Sequence, residues 1–585
     1  MIVAKHLLIC LSLIVLFSCS KEKKSQKNIL NYALTSNVST LDPAISYDTV
    51  SAKVVYQIYE ALYEYDYLKR PYQLVPNLAA SLPIIDDEGL TYRIKIKSNI
   101  EYHSFEGFEA KTRYVTAQDF INGIKRLAIT PGSNGWWLFE GKIKGLDEFR
   151  SKFINSKKDY SSEKAYLEAM LAEKVEGLTT KGDFKLNIKL KQPYPQLIYA
   201  LAMAFTSPIP KEVILATNNS LNEVAIGTGP FYLKEWKKSS IITLNKFKNY
   251  HPAVFPAEGD RFSYEKKLFA DSGKALPFID EINFKIMKES QTRWLNFLKK
   301  KIDIIVLTKD HFPLALDPTG NLKSDFKKDG IELQIAPTLT YWWLAINMED
   351  NILGKNLKLR QAIAHAVNID DYIKTFTNNI ALKANSIFPP GVKGYNPTTT
   401  LPYEYNIEKA KKLLAEAGYP QGKGLPEFSY DVRGSTTVSR QMGEFVRKEL
   451  EKIGIQVKVN LNSFPGFLNK ARTGQLQLWQ GGWAMDYPDP ENVVQLLISK
   501  NHPPGPNSTF YSNPKVDELY KKLFFTKDED QVLEITKEVE SIIAKDLPWI
   551  MQFYSRNYIL HHKHLKNFRQ SDLINNNFKY LKIEP

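Results

Sequence analysis

The most informative stretch of the sequence is GGWAMDYPDPEN, residues 481–492. It follows LQLWQ at residues 476–480, whose alternating side chains predict a strand with one buried face. The predicted strand delivers a loop in which Asp486 lies between a tryptophan, Trp483, and an exit stiffened by two prolines. A carboxylate on a braced loop beside an indole suits capture of a small cation such as an α-amine. We therefore predict a ligand site at Asp486.

Taken alone, the same stretch is more typical of a solvated loop whose aspartate caps a helix. A second aromatic stretch, TYWWLAIN at residues 340–347, favours the ligand site, because clustered aromatic side chains are typical walls of binding pockets. Trp342 and Trp343 are adjacent on this predicted strand, so their side chains point to opposite faces. At most one of them lines a given cleft, and core packing of the strand is an equal alternative.

Length and composition indicate a globular protein of several domains. At 585 residues the chain is too long for one hydrophobic core and should form two or three domains. The formal net charge is +14, but lysines and arginines are spread along the chain with acids between them. This pattern does not indicate a nucleic-acid surface, and we predict no nucleic-acid partner.

The N-terminus predicts export. A basic start precedes an apolar run at residues 7–17 that is too short to span a bilayer, which is typical of a secretory signal. We predict a signal peptide at residues 1–18. The tetrad LFSC at residues 16–19 resembles the lipobox of bacterial lipoproteins, which implies a lipidated Cys19 and a tether at residues 19–28. Cys10 leaves with the signal, so an internal disulfide and a cysteine-based zinc site are excluded.

Beyond the tether, predicted strands and helices alternate, and the fold class is therefore α/β. Residues 29–34 predict an alternating strand, and residues 282–306 predict a strand, a helix and a strand, as in a β-α-β unit. Residues 359–374 predict one helix. Asn406 is predicted to cap a helix that ends at Gly418.

No pattern for catalysis, a cofactor or a metal is present. The pair Gly227 and Gly229 leads into a strand rather than a helix, which argues against phosphate binding. The run HHKH at residues 561–564 lies on an extended segment where adjacent histidines diverge, and no carboxylate is expected beside them. We therefore predict that the chain is not an enzyme and holds neither a cofactor nor a metal.

A set of short motifs occurs in one order along the chain. They are TLDP (40–43), YEAL (59–62), LVPNLA (74–79), VTAQD (115–119), GTGPF (227–231), LRQAI (359–363), PPG (389–391), EKAKKLLAEAGY (408–419) and the Asp486 loop. From about residue 31 to the C-terminus, the chain resembles family 5 of the extracellular solute-binding proteins of bacterial ABC importers, which includes peptide-binding proteins.

The resemblance implies a two-lobed periplasmic-binding-protein-like clamp (type II, cluster C) with an extra small inserted domain. It implies lobe I at residues 29–65, 175–336 and 550–585. It further implies the small domain at residues 66–174 and lobe III at residues 337–549. A peptide lies extended between the lobes, pairs by strand addition, and gives its α-amine to the aspartate that matches Asp486. The other expected ligand contacts are Ser36, Asn37, Val38, Tyr341, Trp342, Trp343, Gln480, Gly482, Trp483 and Ala484.

Two departures from the family pattern concern charge. Some oligopeptide binders carry an arginine where this chain has Gln480, and that arginine helps to hold the ligand carboxylate. Arg472 is a candidate substitute. The sequence KKKID at residues 299–303 replaces a glycine-containing turn that is common before that strand.

The resemblance implies a monomeric, lipid-anchored, periplasmic or cell-surface component of an ABC importer. It would bind peptides, expected to be oligopeptides, and deliver them to a membrane permease and its ATPase. Alternatives are a non-peptide ligand on the same fold (a nickel complex, an oligosaccharide or an opine-like compound), an exported peptide or glycan hydrolase, and a peptide-sensing receptor.

Overall fold

A computed structural model describes residues 27–46, 48–70, 72–526 and 528–584. The predicted signal peptide and Cys19 lie outside these residues. Within them, no helix combines the length and apolar character that crossing a bilayer requires.

The strands of the described residues differ widely in length. They are β1 (Ile29–Leu34), β2 (Tyr63–Tyr65), β3 (Leu74–Pro76), β4 (Ile84–Asp86), β5 (Thr91–Lys95), β6 (Leu178–Thr180), β7 (Lys185–Lys189), β8 (Phe231–Lys237), β9 (Ile241–Lys246), β10 (Glu281–Ile286), β11 (Ile304–Val306), β12 (Ile331–Ile346), β13 (Leu382–Lys383), β14 (Phe428–Arg433), β15 (Val457–Asn462), β16 (Leu478–Ala484), β17 (Trp549–His562), β18 (Leu565–Lys566) and β19 (Lys582–Ile583).

The α-helices lie between these strands. They are α1 (Thr49–Ile58), α2 (Ala117–Ile129), α3 (Leu146–Phe153), α4 (Glu163–Ala172), α5 (Leu197–Ala200), α6 (Lys211–Ala216), α7 (Arg261–Glu265), α8 (Ser290–Leu298), α9 (Phe312–Ala315), α10 (Ser324–Lys328), α11 (Leu357–Ala366), α12 (Ile369–Thr377), α13 (Ile407–Glu416), α14 (Thr437–Glu451), α15 (Phe464–Arg472), α16 (Glu491–Val494), α17 (Pro514–Phe525) and α18 (Glu529–Asp546).

Three sheets organise the fold, and they confirm the α/β class. One has the order β1-β10-β9-β8, with β1 parallel to β10. A second, antiparallel sheet has the order β4-β5-β7-β6. The third runs β11-β17-β12-β16-β14-β15, with β13 also paired to β17.

Hydrophobic cores divide the molecule into two lobes. The first lobe has a core that joins both ends of the chain, from Leu30 through Phe284 to Leu581. The core of the second lobe covers both faces of the large sheet, with Leu344 on one face and Ala345 on the other. The strands β12 and β17 pair from Ile331 opposite His562 to Ala345 opposite Trp549, and so connect the lobes. The fold is thus a two-lobed clamp.

The ladder of β12 and β17 is interrupted where it passes between the lobes. Its register shifts between Pro337 and Tyr341, and Thr338 donates to the Ser555 carbonyl through its hydroxyl at 3.1 Å. A break in a two-stranded connection is the natural place for a hinge, because fewer backbone bonds resist bending there. The domain boundaries given above stay a prediction.

Two local predictions were wrong. The strands of the expected β-α-β unit, β10 and β11, belong to different sheets, because β11 pairs with β17 and β10 pairs with β1 and β9. The single helix expected at residues 359–374 is two helices. Val367 is extended, and Asn368 caps α12 by accepting from the Asp371 amide, so the chain turns between α11 and α12.

Candidate ligand-binding site

The two aromatic stretches lie side by side in the large sheet. In the antiparallel pair β12 and β16, Trp343 is opposite Gly481, Trp342 is opposite Gly482 and Tyr341 is opposite Trp483. The expected alternation is confirmed, since Trp342 packs in the core on one face of the sheet and Trp343 in the core on the other.

The two glycines make room for these tryptophans. A Cβ on Gly481 would lie 2.3 Å from Trp343 Nε1, and a Cβ on Gly482 would lie 2.5 Å from Trp342 Cε3. Trp343 stacks on Tyr341 at 5.3 Å and on Trp549 at 4.2 Å between ring centroids. The two glycines therefore allow the tryptophan side chains of the neighbouring strand β12 to pack closely against β16.

Asn492 holds the Asp486 loop in shape. Its Oδ1 accepts from Trp483 Nε1 and from the Asp486 amide, both at 3.1 Å, and its Nδ2 donates to Asp486 Oδ2 at 3.2 Å. Asn492 is fully buried. Sequence reasoning missed this residue. Its only signal in the sequence is an amide side chain six positions after the aspartate on a short loop. The carboxylate is thus oriented by a buried side chain rather than left to solvent.

Asp486 lies at the interface between the lobes. Burial raises the pKa of Tyr56, Tyr194 and Tyr341, and the Asp486 charge adds to the increase for each. Tyr56 and Tyr194 come from the first lobe, whereas Tyr341 comes from β12. The Tyr56 hydroxyl accepts from the Ala204 amide at 3.2 Å. The charge of the aspartate therefore acts on tyrosines from both lobes.

The residues after Asp486 close against the first lobe. Tyr487 stacks on Tyr199 with centroids 5.2 Å apart and rings nearly parallel, and it packs into the core of the first lobe. Glu491 accepts from the hydroxyls of Tyr487 and Tyr520, both at 2.5 Å. Burial raises the pKa of Asp489 to about 6, and the Glu491 charge contributes to this increase. A hydrogen bond from Gln196 acts in the opposite direction and lowers the pKa. The clamp is thus closed.

Replacing Asp489 by Asn should change how ligand affinity depends on pH. Because the pKa of Asp489 is raised in the closed clamp, the protonated side chain favours closure. This advantage is complete at pH values below the ordinary pKa of 3.8 and is lost as the pH rises through about 6. The uncharged amide that D489N introduces carries no such cost. We expect D489N to bind about tenfold more tightly than the parent at pH 7.5 and to approach it near pH 4. Calorimetric titrations across this range measure the difference; equal ratios at both pH values would contradict it.

Five further expected ligand contacts are either exposed or buried in the protein. Ser36 and Asn37 are exposed, Val38 packs in the core of the first lobe, and Gln480 is buried with its Nε2 3.2 Å from Tyr372 Oη. Arg472 is exposed in the last turn of α15. The Gln480 amide is therefore directed to Tyr372, and the Arg472 guanidinium lies on an exposed helix end.

Arg433 is the cation that sequence reasoning missed. It ends β14, its Nη1 donates to the Gly482 carbonyl at 2.8 Å, and its guanidinium lies 5.3 Å from the Trp342 ring and 5.2 Å from the Phe464 ring. Burial lowers its pKa to about 10. Within the described ranges, no carboxylate lies within salt-bridge distance of it. Arg433 lies at the carboxyl end of a parallel strand, where ligands of α/β sheets bind, and only the strand pairing reveals this position.

The C-terminal histidines do have acidic neighbours, contrary to expectation. His564 Nε2 lies 2.7 Å from Asp303 Oδ1, and His561 Nε2 lies 3.8 Å from Glu332 Oε2. The strand partners β11 and β12 bring these acids in, which the sequence could not show. Across the residues that the structure describes, no group of three such side chains is arranged to hold a metal ion.

Solved structures share the fold. A DppA periplasmic binding protein from Helicobacter pylori, in complex with peptide STSA, aligns with a TM-score of 0.73 at 24% identity, over 97% of this chain and 100% of that chain. The oligopeptide-binding protein AppA from Bacillus subtilis, in complex with a nonapeptide, aligns with a TM-score of 0.70 at 19% identity, over 96% and 99%. AgaA from A. tumefacien R10, in complex with agropinic acid, gives 0.70 at 20%, over 95% and 99%.

Sequence comparison finds relatives along nearly the full chain. The dipeptide-binding protein of Escherichia coli (strain K12) is 25% identical over 525 residues, covering 88% of this chain and 86% of the relative. The glutathione-binding protein GsiB of the same strain is 23% identical over 549 residues, covering 92% and 91%. The model of the bacterial extracellular solute-binding proteins, family 5, matches residues 73–504. The chain therefore belongs to this family of binding proteins, which are not enzymes.

Proposed function

We propose that the chain is the substrate-binding component of an ABC importer and that it closes on a short peptide. The observation that carries this proposal is Asp486, a carboxylate that Asn492 orients and whose charge acts on tyrosines of both lobes. Such a carboxylate pairs with a cation that has left water, and a peptide α-amine has the required charge and three donors. Relatives named for dipeptides and glutathione support a ligand of this class.

The ligand carboxylate would be held by Arg433. Its guanidinium has a lowered pKa because it is desolvated, and a ligand carboxylate would restore the charge partner that it lacks among the described residues. Arg433 contacts Gly482, four residues before Asp486. Along an extended chain this separation is about 13 Å, the length of roughly three or four residues, and the reach of the arginine shortens it. The preferred ligand is therefore a short peptide, shorter than many oligopeptides.

The ligand backbone would add to the open side of β16. On the side away from β12, β14 pairs only with Leu478 and Trp479, so no strand of the described chain is paired with residues 481–484 there. The Gly482 carbonyl points to that side, because it accepts from Arg433. A peptide that runs from Arg433 to Asp486 lies along this open edge, where main-chain hydrogen bonds hold it without selecting its side chains.

A second candidate ligand is an opine-like compound that carries both an amine and a carboxylate. The structural neighbour bound to agropinic acid favours it, although that likeness is one of fold. Asp486 and Arg433 would recognise such a zwitterion by the same two charges. An uncharged oligosaccharide would use neither charge.

Export, lipid attachment at Cys19, a monomeric state and delivery to a permease complete the proposal. The signal-like N-terminus and the LFSC tetrad support attachment, and membership of an extracellular binding family supports a place outside the cytoplasm.

Calorimetric titration with three forms of one tripeptide tests the proposed function. The chain from Ser20 is titrated with the free peptide, its N-acetyl form and its C-terminal amide. We expect the free peptide to bind, acetylation to weaken binding by at least about 30-fold, and amidation to weaken it by about tenfold. Binding of all three forms with equal affinity, or of none, would contradict the proposal.

Replacing Arg433 by Gln should weaken binding of the free tripeptide by about 10- to 100-fold, because the charge-assisted bonds to its carboxylate are lost. The amidated peptide should bind parent and variant alike, since it has no carboxylate to lose. Arg472→Gln is the matched control: it removes an equal charge from an exposed site on α15 and should leave both affinities unchanged. A loss in R472Q instead of R433Q would return the role to Arg472.

A further inference from the structure

Six lysines from three separate segments form one basic surface at an end of the first lobe, called here the lysine surface. It surrounds a cavity of about 440 Å³ lined by Leu298, Lys300, Lys328, Asp329, Gly330, Ile331 and His562. Lys563 borders it, because its amide donates to the Gly330 carbonyl at 2.7 Å. The six exposed lysines are Lys299, Lys300, Lys301, Lys327, Lys328 and Lys563.

The fold leaves this positive charge largely unbalanced. Of the six lysines, Lys328 alone has an acidic partner within 4 Å in the described part of the chain, Asp325 at 3.9 Å. Both side chains are mostly exposed, at 79% and 87%, so their attraction is weak and screened by salt. One further acid, Asp329, lines the cavity. The surface therefore has charge available for an anionic partner.

Exposed apolar side chains accompany the lysines. Leu295 and Leu298, on the helix α8 that leads directly to Lys299, are 45% and 42% exposed. His562 is a buried residue of the cavity lining. Its Nε2 lies 3.0 Å from the Phe297 carbonyl, and its Nδ1 has no hydrogen-bond partner among the described residues. Lysines beside exposed leucines are typical of surfaces that lie on a lipid headgroup layer, because both kinds of side chain gain there.

The lysine surface lies close to where the N-terminal segment enters the fold. The Asn31 amide donates to Asp303 Oδ2 at 2.7 Å, and the His562 amide donates to the Asp303 carbonyl at 3.2 Å, immediately before Lys563. Lys27 precedes Asn31 by four residues, about 13 Å of extended chain. A lipid on Cys19 would therefore hold this end of the first lobe towards the membrane.

We propose that the lysine surface docks on the anionic headgroups of the membrane to which Cys19 is attached, and so orients the clamp. The biological setting rests on the lipid attachment proposed above, but the binding itself is a property of the described fold. Each lysine near an anionic leaflet is attracted within a screening length of about 8–10 Å. Docking through the first lobe leaves the second lobe free to open and close.

Vesicle sedimentation tests the proposal without the lipid. The chain from Ser20 keeps every described residue, and it is mixed with vesicles of phosphatidylcholine alone or with about one-third phosphatidylglycerol. We expect binding to the anionic vesicles to exceed that to neutral vesicles by at least about tenfold at low salt, and to fall steeply near 0.5 M salt, where the screening length is only a few Å. K300Q/K328Q/K563Q should lose at least about tenfold.

The matched control removes the same charge elsewhere. Lys158, Lys174 and Lys181 are exposed lysines far along the chain from the lysine surface, and K158Q/K174Q/K181Q should bind anionic vesicles like the parent. An equal loss in both triple variants would assign the effect to net charge and overturn the proposal, as would equal binding of the parent to both vesicles. Peptide titrations of the same variants should be unchanged, so a failure here is distinguishable from a failure of the peptide proposal.

Discussion

Asp486→Asn should bind a free tripeptide about 30- to 4,000-fold more weakly than the parent, because losing one partner of a buried charge pair costs about 2–5 kcal/mol. The substitution keeps the size of the side chain and an oxygen that accepts from Asn492 Nδ2. The loop should therefore keep its shape, and the loss can be assigned to the missing charge. Calorimetric titration of parent and variant at pH 7.5 measures the effect.

Asp489→Asn is the control for this result. It removes a charge three residues away on the same loop, where burial already opposes ionisation. It should bind the tripeptide at least as tightly as the parent at pH 7.5. An unchanged affinity in D486N, or an equal loss in both variants, would show that Asp486 does not hold the amine.

Arg126→Met should lower the free energy of unfolding of the first lobe by about 3–5 kcal/mol, because it leaves the buried Asp42 without its charge partner. Arg126 and Asp42 are both about 1% exposed in their side chains. Two hydrogen bonds join them, Nη1 to Oδ1 at 3.0 Å and Nη2 to Oδ2 at 2.5 Å. The pair fixes the turn after β1 to α2. Urea denaturation followed by tyrosine and tryptophan fluorescence measures the change.

Two further variants separate the pair from charge in general. Arg93→Met breaks an exposed ion pair with Asp86, whose side chains are 56% and 38% exposed, and should cost no more than about 1 kcal/mol. The double variant D42L/R126M removes both buried charges and should recover much of the lost stability. A cost for R126M no larger than that for R93M would contradict the account.

The sequence predicted most of what depends on local pattern. The alternation at 340–347 gave the opposite faces of Trp342 and Trp343, and the side chain of Asn406 caps α13 as expected, accepting from the Lys409 amide. Each of these features is determined within a few residues, where backbone geometry leaves few choices.

What the sequence could not predict depends on strand order. Arg433 reaches Gly482 across 49 positions only because β14 lies beside β16. The lysine surface likewise brings Lys300, Lys328 and Lys563 together from the ends of α8, α10 and β17. Asp42, which the sequence shows only as part of the TLDP motif, is likewise a buried ion-pair partner of the distant Arg126. Non-local pairing decides these contacts, and a single sequence does not reveal it.

The most direct measurement is a crystal structure of the chain from Ser20 grown with a free tripeptide. We predict the peptide along the open side of residues 481–484, with its amine nitrogen about 3 Å from an Asp486 carboxylate oxygen and its carboxylate on Arg433. A peptide bound elsewhere, or bound with its amine away from Asp486, would contradict the proposed site.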